Sequence, residues 1–258
     1  MKGSLIGFGT IGNGHFQAYE KIQELAIIAV VDITEERLQK AKELNKDLRV
    51  YKTINELFSR ERIDFIDICT PPNTHLDFIR AGLSNGCHVL CEKPFLCSLK
   101  EYRGLLPLIK KSKKVLYPCH NYKFAPVLQK IYNQIKSKDF GKIIKGHFRT
   151  LRKGHAVGVP EWNPHWRRQQ SIAKGGILRD HGTHSIYLAS HIINNMPRAV
   201  SCIIGNLRDD QYKENEDTAF LNLYFPGDTQ FLIDLSWAAS FRNSYYSCLL
   251  YTSDAADE

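Results

Sequence analysis

Residues 4–12, SLIGFGTIG, constrain this chain more than any other stretch. An apolar run ends in Gly7, Gly9 and Gly12, a G-x-G-x-x-G spacing, and a helical pattern follows in GHFQAYEKIQEL. Between a strand and a helix each glycine has a physical use. The first makes a tight turn, the second lets the backbone approach a pyrophosphate, and the third lets the helix pack close to the strand. Thr10, Ile11 and Gly12 then open the helix, where unpaired N–H groups and the positive end of the dipole favour an anion. Asp32 ends the next apolar run, AIIAVVD, twenty residues after Gly12. A carboxylate there accepts hydrogen bonds from adenosine ribose hydroxyls and repels a 2′-phosphate. The expected cofactor is NAD, with NADP disfavoured by Asp32.

The first 120 residues continue this alternation. Apolar runs in IDFIDICTPP, HVLCEKP and KVLYPCHN are separated by the helical patterns TEERLQKAKEL, TINELFSR, THLDFIRAGLSNG and SLKEYRGLLPLIKKS. Strands apolar throughout, with helices between them, imply a parallel sheet covered on both faces. After residue 121 the pattern changes. One helix, PVLQKIYNQIKS, precedes the longer strands KIIKGHFRT, AVSCIIGN, TAFLNLYF and QFLIDLSWAAS. The expected architecture is an N-terminal Rossmann domain over 1–120 and an α+β domain with a mostly antiparallel open sheet over 121–247. The CTPPNTH loop ends the strand at the expected switch point, so Thr70, Pro71, Asn73 and His75 are placed against the cofactor.

Composition removes several other readings. No run of eighteen apolar residues suggests a membrane helix. MKGSLIGFGT lacks the apolar core and cleavage site of a secretory signal, so the expected location is the cytoplasm. Seven cysteines form no regular framework and are expected as free thiols. The net charge is +8, yet its densest cluster, IKKSKK, reads as the solvated end of a helix rather than a nucleic-acid surface. No metal is expected. Cys87 and Cys91 flank a strand, where residues four apart are separated by about 13 Å, too far to share one ion with His88 or His75.

Five motifs in order, GFGTIG, CTPPNTH, CEKPF, HNYKFAP and GGILRDHGTH, resemble the Gfo/Idh/MocA family of oxidoreductases over residues 1–240. The resemblance implies a cofactor lying across the first domain and a substrate between the nicotinamide and the second domain's sheet. It places an E-K-P motif on Glu92, Lys93 and Pro94, with a cis Lys93–Pro94 peptide, and a D-x-x-x-H motif on Asp180 and His184. It also implies that Glu92, Lys93, Asn121, Trp166 and Arg167 lie near the cofactor, and that the full-length protein is a homo-oligomer. Tyr187 stands where many members carry an aspartate, a departure expected to alter substrate contacts but not the catalytic pair. The resemblance further implies a longer chain. One reverse translation of residues 248–258, CLLYTSDAADE, resembles a transposase end plus adaptor, and these residues are expected to be non-native.

Oxidising a secondary alcohol requires a base for the hydroxyl proton and a cation for the developing alkoxide. His184 suits the first task, Lys93 the second, and Asp180 orients both. Asp180 and His184 are spaced i, i+4, which places them on one face of a helix. His181, adjacent to Asp180, points elsewhere and ranks below His184. The expected function is hydride transfer between NAD and a polyol, sugar or sugar derivative. Two alternatives are an NAD-dependent glycoside hydrolase working by transient oxidation and elimination, and a non-catalytic nucleotide sensor. The expected partner is a small-molecule substrate, with neither nucleic acid nor membrane.

Overall fold

The computed structural model describes residues 1–137, 141–208 and 210–251, with side chains described only through Tyr245 beyond residue 243. The chain forms two compact units. The first contains Met1–Cys119, Val157–Trp166 and Ser171–Lys174; the second contains the remainder. The loop over 157–166, read from sequence as part of the second domain, therefore packs with the first unit.

Six parallel strands form the first sheet: β1 (Lys2–Ile6), β2 (Ala26–Val31), β3 (Arg49–Tyr51), β4 (Phe65–Ile68), β5 (His88–Cys91) and β6 (Leu116–Pro118). Their spatial order is β3-β2-β1-β4-β5-β6. The order reverses between β1 and β4, and open parallel sheets bind ligands beyond the carboxyl ends of strands at such a point. The helices α1 (Thr10–Tyr19), α2 (Glu35–Leu44), α3 (Ile54–Arg60), α4 (His75–Ser84) and α5 (Leu99–Ser112) connect the strands. Two buried clusters hold the sheet, one around Ile66, Ile68, Ile79 and Leu105, the other around Leu5, Val30, Leu38 and Leu48. Helix α3 starts with a capping box: Thr53 Oγ1 accepts from Glu56 N–H, and the Glu56 carboxylate accepts from Thr53 N–H. Thr34 holds the N-cap position of α2 but makes no side-chain capping bond; its N–H donates to Asp32.

The second unit carries a five-stranded sheet in the order β11-β7-β10-β9-β8. Its strands are β7 (Lys142–Leu151), β8 (Ala199–Gly205), β9 (Thr218–Tyr224), β10 (Gln230–Ser236) and β11 (Asn243–Tyr251). Only β7 and β10 pair parallel; the other pairs are antiparallel. Helices α6 (Pro126–Lys136), α7 (Gln170–Ala173) and α8 (Thr183–Ile193) complete the order of elements. Phe148, Phe231, Leu188, Ile192 and Trp237 belong to one buried cluster. Gly146 admits Phe231, whose ring would lie 2.2 Å from a Cβ at that position. The edge strand β8 is exposed at every position.

Some local details differ from the sequence reading. Strand β3 was not anticipated, and α1 ends at Tyr19 rather than Leu25. The expected boundary at residue 247 falls inside β11, whose backbone pairs with β7 as far as Tyr251; residues 252–258 lie outside the described residues. Asp180 occupies a π-helical turn (Leu178–Gly182) rather than the α-helix that holds His184. Such turns concentrate at functional sites.

Candidate active site

In the first unit the glycine loop joins β1 to α1. Gly7 has φ +90°, a conformation that disfavours any side chain. A Cβ on Gly12 would lie 2.1 Å from the Gly7 carbonyl oxygen. A Cβ on Gly9, in contrast, would meet only Arg37 Nη1, at 3.9 Å. The backbone at Gly9 is thus open for close approach. Helix α1 begins there without a side-chain cap or an acidic residue in its first turn, and Thr10 and Ile11 are exposed. These are the features a pyrophosphate requires.

Asp32 is buried and braces this loop. Its Oδ2 accepts from Phe8 N–H at 2.7 Å and Arg37 Nη1 at 3.2 Å, and its Oδ1 accepts from Thr34 N–H at 2.9 Å. Three donors leave one of about four carboxylate acceptor positions for a ribose hydroxyl. Nε and Nη2 of Arg37 are buried with no partner among the described residues. A guanidinium with two unpartnered donor nitrogens, next to Gly9 and Asp32, suits the adenosine end of a dinucleotide. Sequence reading missed Arg37, although its position five residues after Asp32 at the start of α2 was a usable signal.

Thr70 follows β4 and touches the same loop, its methyl lying 2.8 Å from a Cβ placed on Gly7. Pro71 is half-buried and Asn73 exposed. His75 is fully buried and serves the protein's own backbone: its ring contacts the carbonyl oxygens of Thr70 at 2.8 Å, Pro94 at 3.0 Å and Phe95 at 3.3 Å. It thereby ties the CTPPNTH loop to the turn after Lys93. Burial pushes its pKa down against the pull of those carbonyls. A neutral ring donates from one nitrogen only, so His75→Leu is expected to cost roughly 1–3 kcal/mol for the carbonyl that loses its donor. A depressed folded pKa means the unfolded chain takes up protons first, so this stabilisation is complete above about pH 6.5 and lost as pH falls through the folded value. Urea midpoints of both proteins between pH 5 and 8 should therefore converge toward acid. A constant difference would remove the titration argument.

Lys93 is half-buried, and the Lys93–Pro94 peptide is cis. Its backbone N–H donates to Glu92 Oε2 at 3.0 Å. Glu92 is held in turn by His15 Nε2 at 3.3 Å, while His15 Nδ1 lies 2.8 Å from Asp67 Oδ2. Burial alone would lower the His15 pKa, but the Asp67 carboxylate, with smaller contributions from Cys119, Cys69 and Glu92, raises it far above the imidazole range. Burial would likewise raise Glu92, whereas His15 and then Lys93 hold it below the usual carboxylate value. His15 and Asp67 are 52 residues apart, and no local pattern links them.

Trp166 packs on Gly158 within the loop of the first unit. Asn121 is exposed at the start of a 3₁₀ turn in the second unit. There Arg167 Nε donates to Asp180 Oδ2 at 3.2 Å, and Arg167 Nη1 donates to the Ala156 carbonyl at 3.0 Å. His184 is buried, stacked on Tyr122 with ring centroids 4.0 Å apart, and its Nδ1 lies 2.8 Å from Tyr187 Oη. Tyr187 Oη also accepts from Tyr122 N–H at 3.2 Å. The tyrosine expected to leave the catalytic pair untouched is therefore a direct partner of His184. Glu216, also missed from sequence, anchors this region: its carboxylate accepts from Gly176 N–H at 2.9 Å and Leu178 N–H at 3.1 Å.

Known proteins share this succession of two domains. Residues 1–120 match the family model described as oxidoreductase family, NAD-binding Rossmann fold, and residues 128–255 match the GFO/IDH/MocA C-terminal domain. D-apiose dehydrogenase of Paraburkholderia graminis is 24% identical over all of this chain and 66% of its own length. Myo-inositol 2-dehydrogenase of Thermotoga maritima is 25% identical over 93% of this chain and 70% of its own. The chain thus spans about two thirds of the length of these relatives. The crystal structure of GenD2 from gentamicin A biosynthesis, in complex with NAD, shares the fold with a TM-score of 0.88 at 21% identity, covering 97% of this chain and 70% of that one. With both domains of one family matched in succession, the chain belongs to the Gfo/Idh/MocA oxidoreductases, and its first domain is an NAD-binding Rossmann domain.

Proposed function

We propose that the protein is an NAD-dependent dehydrogenase acting on a secondary alcohol of a polyol, sugar or sugar derivative. The observation that supports this most is the position of Lys93. It follows β5, at the carboxyl edge of the sheet whose β1–α1 loop is open to a pyrophosphate. NAD supplies the hydride acceptor when bound. In this reading His184 takes the alcohol proton, Lys93 stabilises the developing alkoxide, and Asp180 orients the pair. Asp32 accepts from the adenosine ribose, and Thr10, Ile11 and Gly12 present N–H groups to the pyrophosphate. Thr70, Pro71, Asn73, His75, Glu92, Asn121, Trp166 and Arg167 complete the cofactor surroundings, with His75 and Glu92 acting through the loops they hold. The sugar and polyol dehydrogenases among the relatives favour this substrate class. A homo-oligomer in the cytoplasm is part of the same reading.

The test is NADH formation by the purified protein on a panel of polyols, sugars and sugar acids. Absorbance rising in step with product supports the dehydrogenase. Product without accumulated NADH points instead to transient oxidation with elimination. NAD binding without product from any compound counts against both and favours a sensor.

A further inference from the structure

Five side chains able to ligate a metal converge in the first unit: His15 on α1, Asp67 on β4, Cys69 just after it, Glu92 after β5, and Cys119 after β6. Ligand atoms of His15, Asp67 and Cys69 all lie within 4.8 Å of one another, as do those of His15, Glu92 and Cys119. Among the described residues these are the two such groups. Both use the His15 ring, so they compete for it.

The first group has the dimensions of a coordination shell. His15 Nδ1 is 3.4 Å from Cys69 Sγ, Cys69 Sγ is 3.6 Å from Asp67 Oδ1, and His15 Nδ1 is 2.8 Å from Asp67 Oδ2. Zinc bonds of about 2.0–2.3 Å in a tetrahedron separate nitrogen, oxygen and sulfur ligands by roughly 3.3–3.5 Å. The sulfur–nitrogen distance matches, and the sulfur–oxygen distance, to Asp67 Oδ1, is close to it. The 2.8 Å contact of His15 is to the other oxygen, Oδ2, so the carboxylate faces the site with both oxygens, and the ring moves out by about half an ångström to share a cation with it. The surroundings fit as well. A ligating histidine normally directs its other nitrogen to a carboxylate, and ligating carboxylates are themselves hydrogen-bonded. His15 Nε2 faces Glu92 Oε1 at 3.3 Å, and Tyr19 Oη donates to Asp67 Oδ2 at 3.0 Å. Asp67 is completely buried, whereas His15 keeps 24% of its side chain exposed and provides a way in.

We propose that His15, Asp67 and Cys69 form a binding site for a borderline-soft divalent cation of the zinc class, with Glu92 and Tyr19 orienting the ligands. One imidazole, one carboxylate and one thiolate select such an ion over magnesium or calcium, which prefer all-oxygen sites. Three protein ligands leave the fourth position to a solvent molecule. The argument that set aside a metal at Cys87, His88 and Cys91 does not reach this group, whose members come from α1 and β4, more than fifty residues apart. A ring proton and a divalent cation are alternative ways to hold these acidic groups together, and the experiment separates them.

Cobalt(II) is the probe, added to the metal-stripped full chain, with zinc retention measured by elemental analysis after dialysis. The expected result is about one equivalent retained, with a thiolate-to-cobalt charge-transfer band and tetrahedral visible bands that zinc abolishes. The band is lost in Cys69→Ser and His15→Ala and kept in Cys202→Ser, which changes an exposed thiol. Should Cys69→Ser fold poorly, the wild-type titration still decides. Retention below about a tenth of an equivalent, or cobalt bound without a thiolate band, overturns the site and leaves the ring proton as the link. A band lost in Cys119→Ser but kept in Cys69→Ser overturns the assignment in favour of the other group. None of these readouts uses catalytic activity, so they stand apart from the proposed function.

Discussion

Lys93→Met is expected to lower turnover by about 10³-fold while leaving NAD affinity within about twofold. Methionine keeps a stem of similar length and removes only the charge and the donors. The backbone on both sides of Lys93 is held by other residues. Its N–H is bonded to Glu92, whose carboxylate is gripped by His15, and the next carbonyl, of Pro94, contacts the buried His75 ring. The substitution should therefore leave the turn in place. A cation that stabilises an alkoxide acts mainly in the transition state, so its loss falls on kcat more than on KM. Removing it forfeits about 4 kcal/mol of transition-state stabilisation at that ratio. Nucleotide affinity, measured by quenching of tryptophan fluorescence, serves as the control. Retained turnover would eliminate Lys93 as a catalytic group, whereas weakened NAD binding with kcat preserved would make it a cofactor ligand.

The parts of this site that were legible in the sequence are local ones. Gly7, Gly9 and Gly12 carry their spacing on the surface of the sequence, and an apolar run ending in Asp32 marks the end of a strand. Lys93 could be placed at a strand end because HVLC is apolar and a proline follows. What was not legible depends on pairing across the fold. The contact between His15 on α1 and Asp67 on β4 joins residues 52 apart, brought together by the pairing of β1 with β4, and no periodicity encodes it. Glu216 reaches Gly176 and Leu178 across some forty residues. The π turn at Asp180 was hidden because a π turn and an α turn share nearly the same apolar pattern. Tyr187 is different: three residues after His184 it shares a helix face with it, so that contact was open to a local rule. A phenol is neutral where a carboxylate would be charged, so His184, the base of the proposed reaction, meets a neutral hydroxyl at that position.

Gly12→Ala should abolish measurable NAD binding and destabilise the first unit, whereas Gly14→Ala, two residues along the same helix, should do neither. At Gly12 the new methyl would lie 2.1 Å from the Gly7 carbonyl oxygen and 3.1 Å from its carbon, and both are backbone atoms that cannot rotate aside. Either α1 must move away from β1 or the loop must open. Overpacking of this kind typically costs about 1–3 kcal/mol. The displacement acts on the N–H groups of Thr10 and Ile11 at the mouth of α1, where a shift of about an ångström breaks hydrogen bonds to a phosphate. At Gly14 a Cβ meets nothing within 4 Å, and the residue is helical and exposed. Alanine there removes unfolded-state freedom and favours the helix by about 0.4–1 kcal/mol. Urea unfolding and NAD titration of both variants test the contrast. Equal behaviour of the two would show that helix α1 tolerates a methyl at the closest approach and that the tight glycine loop does not govern nucleotide binding. Loss of binding in Gly12→Ala at unchanged stability would place the whole effect on the phosphate contacts.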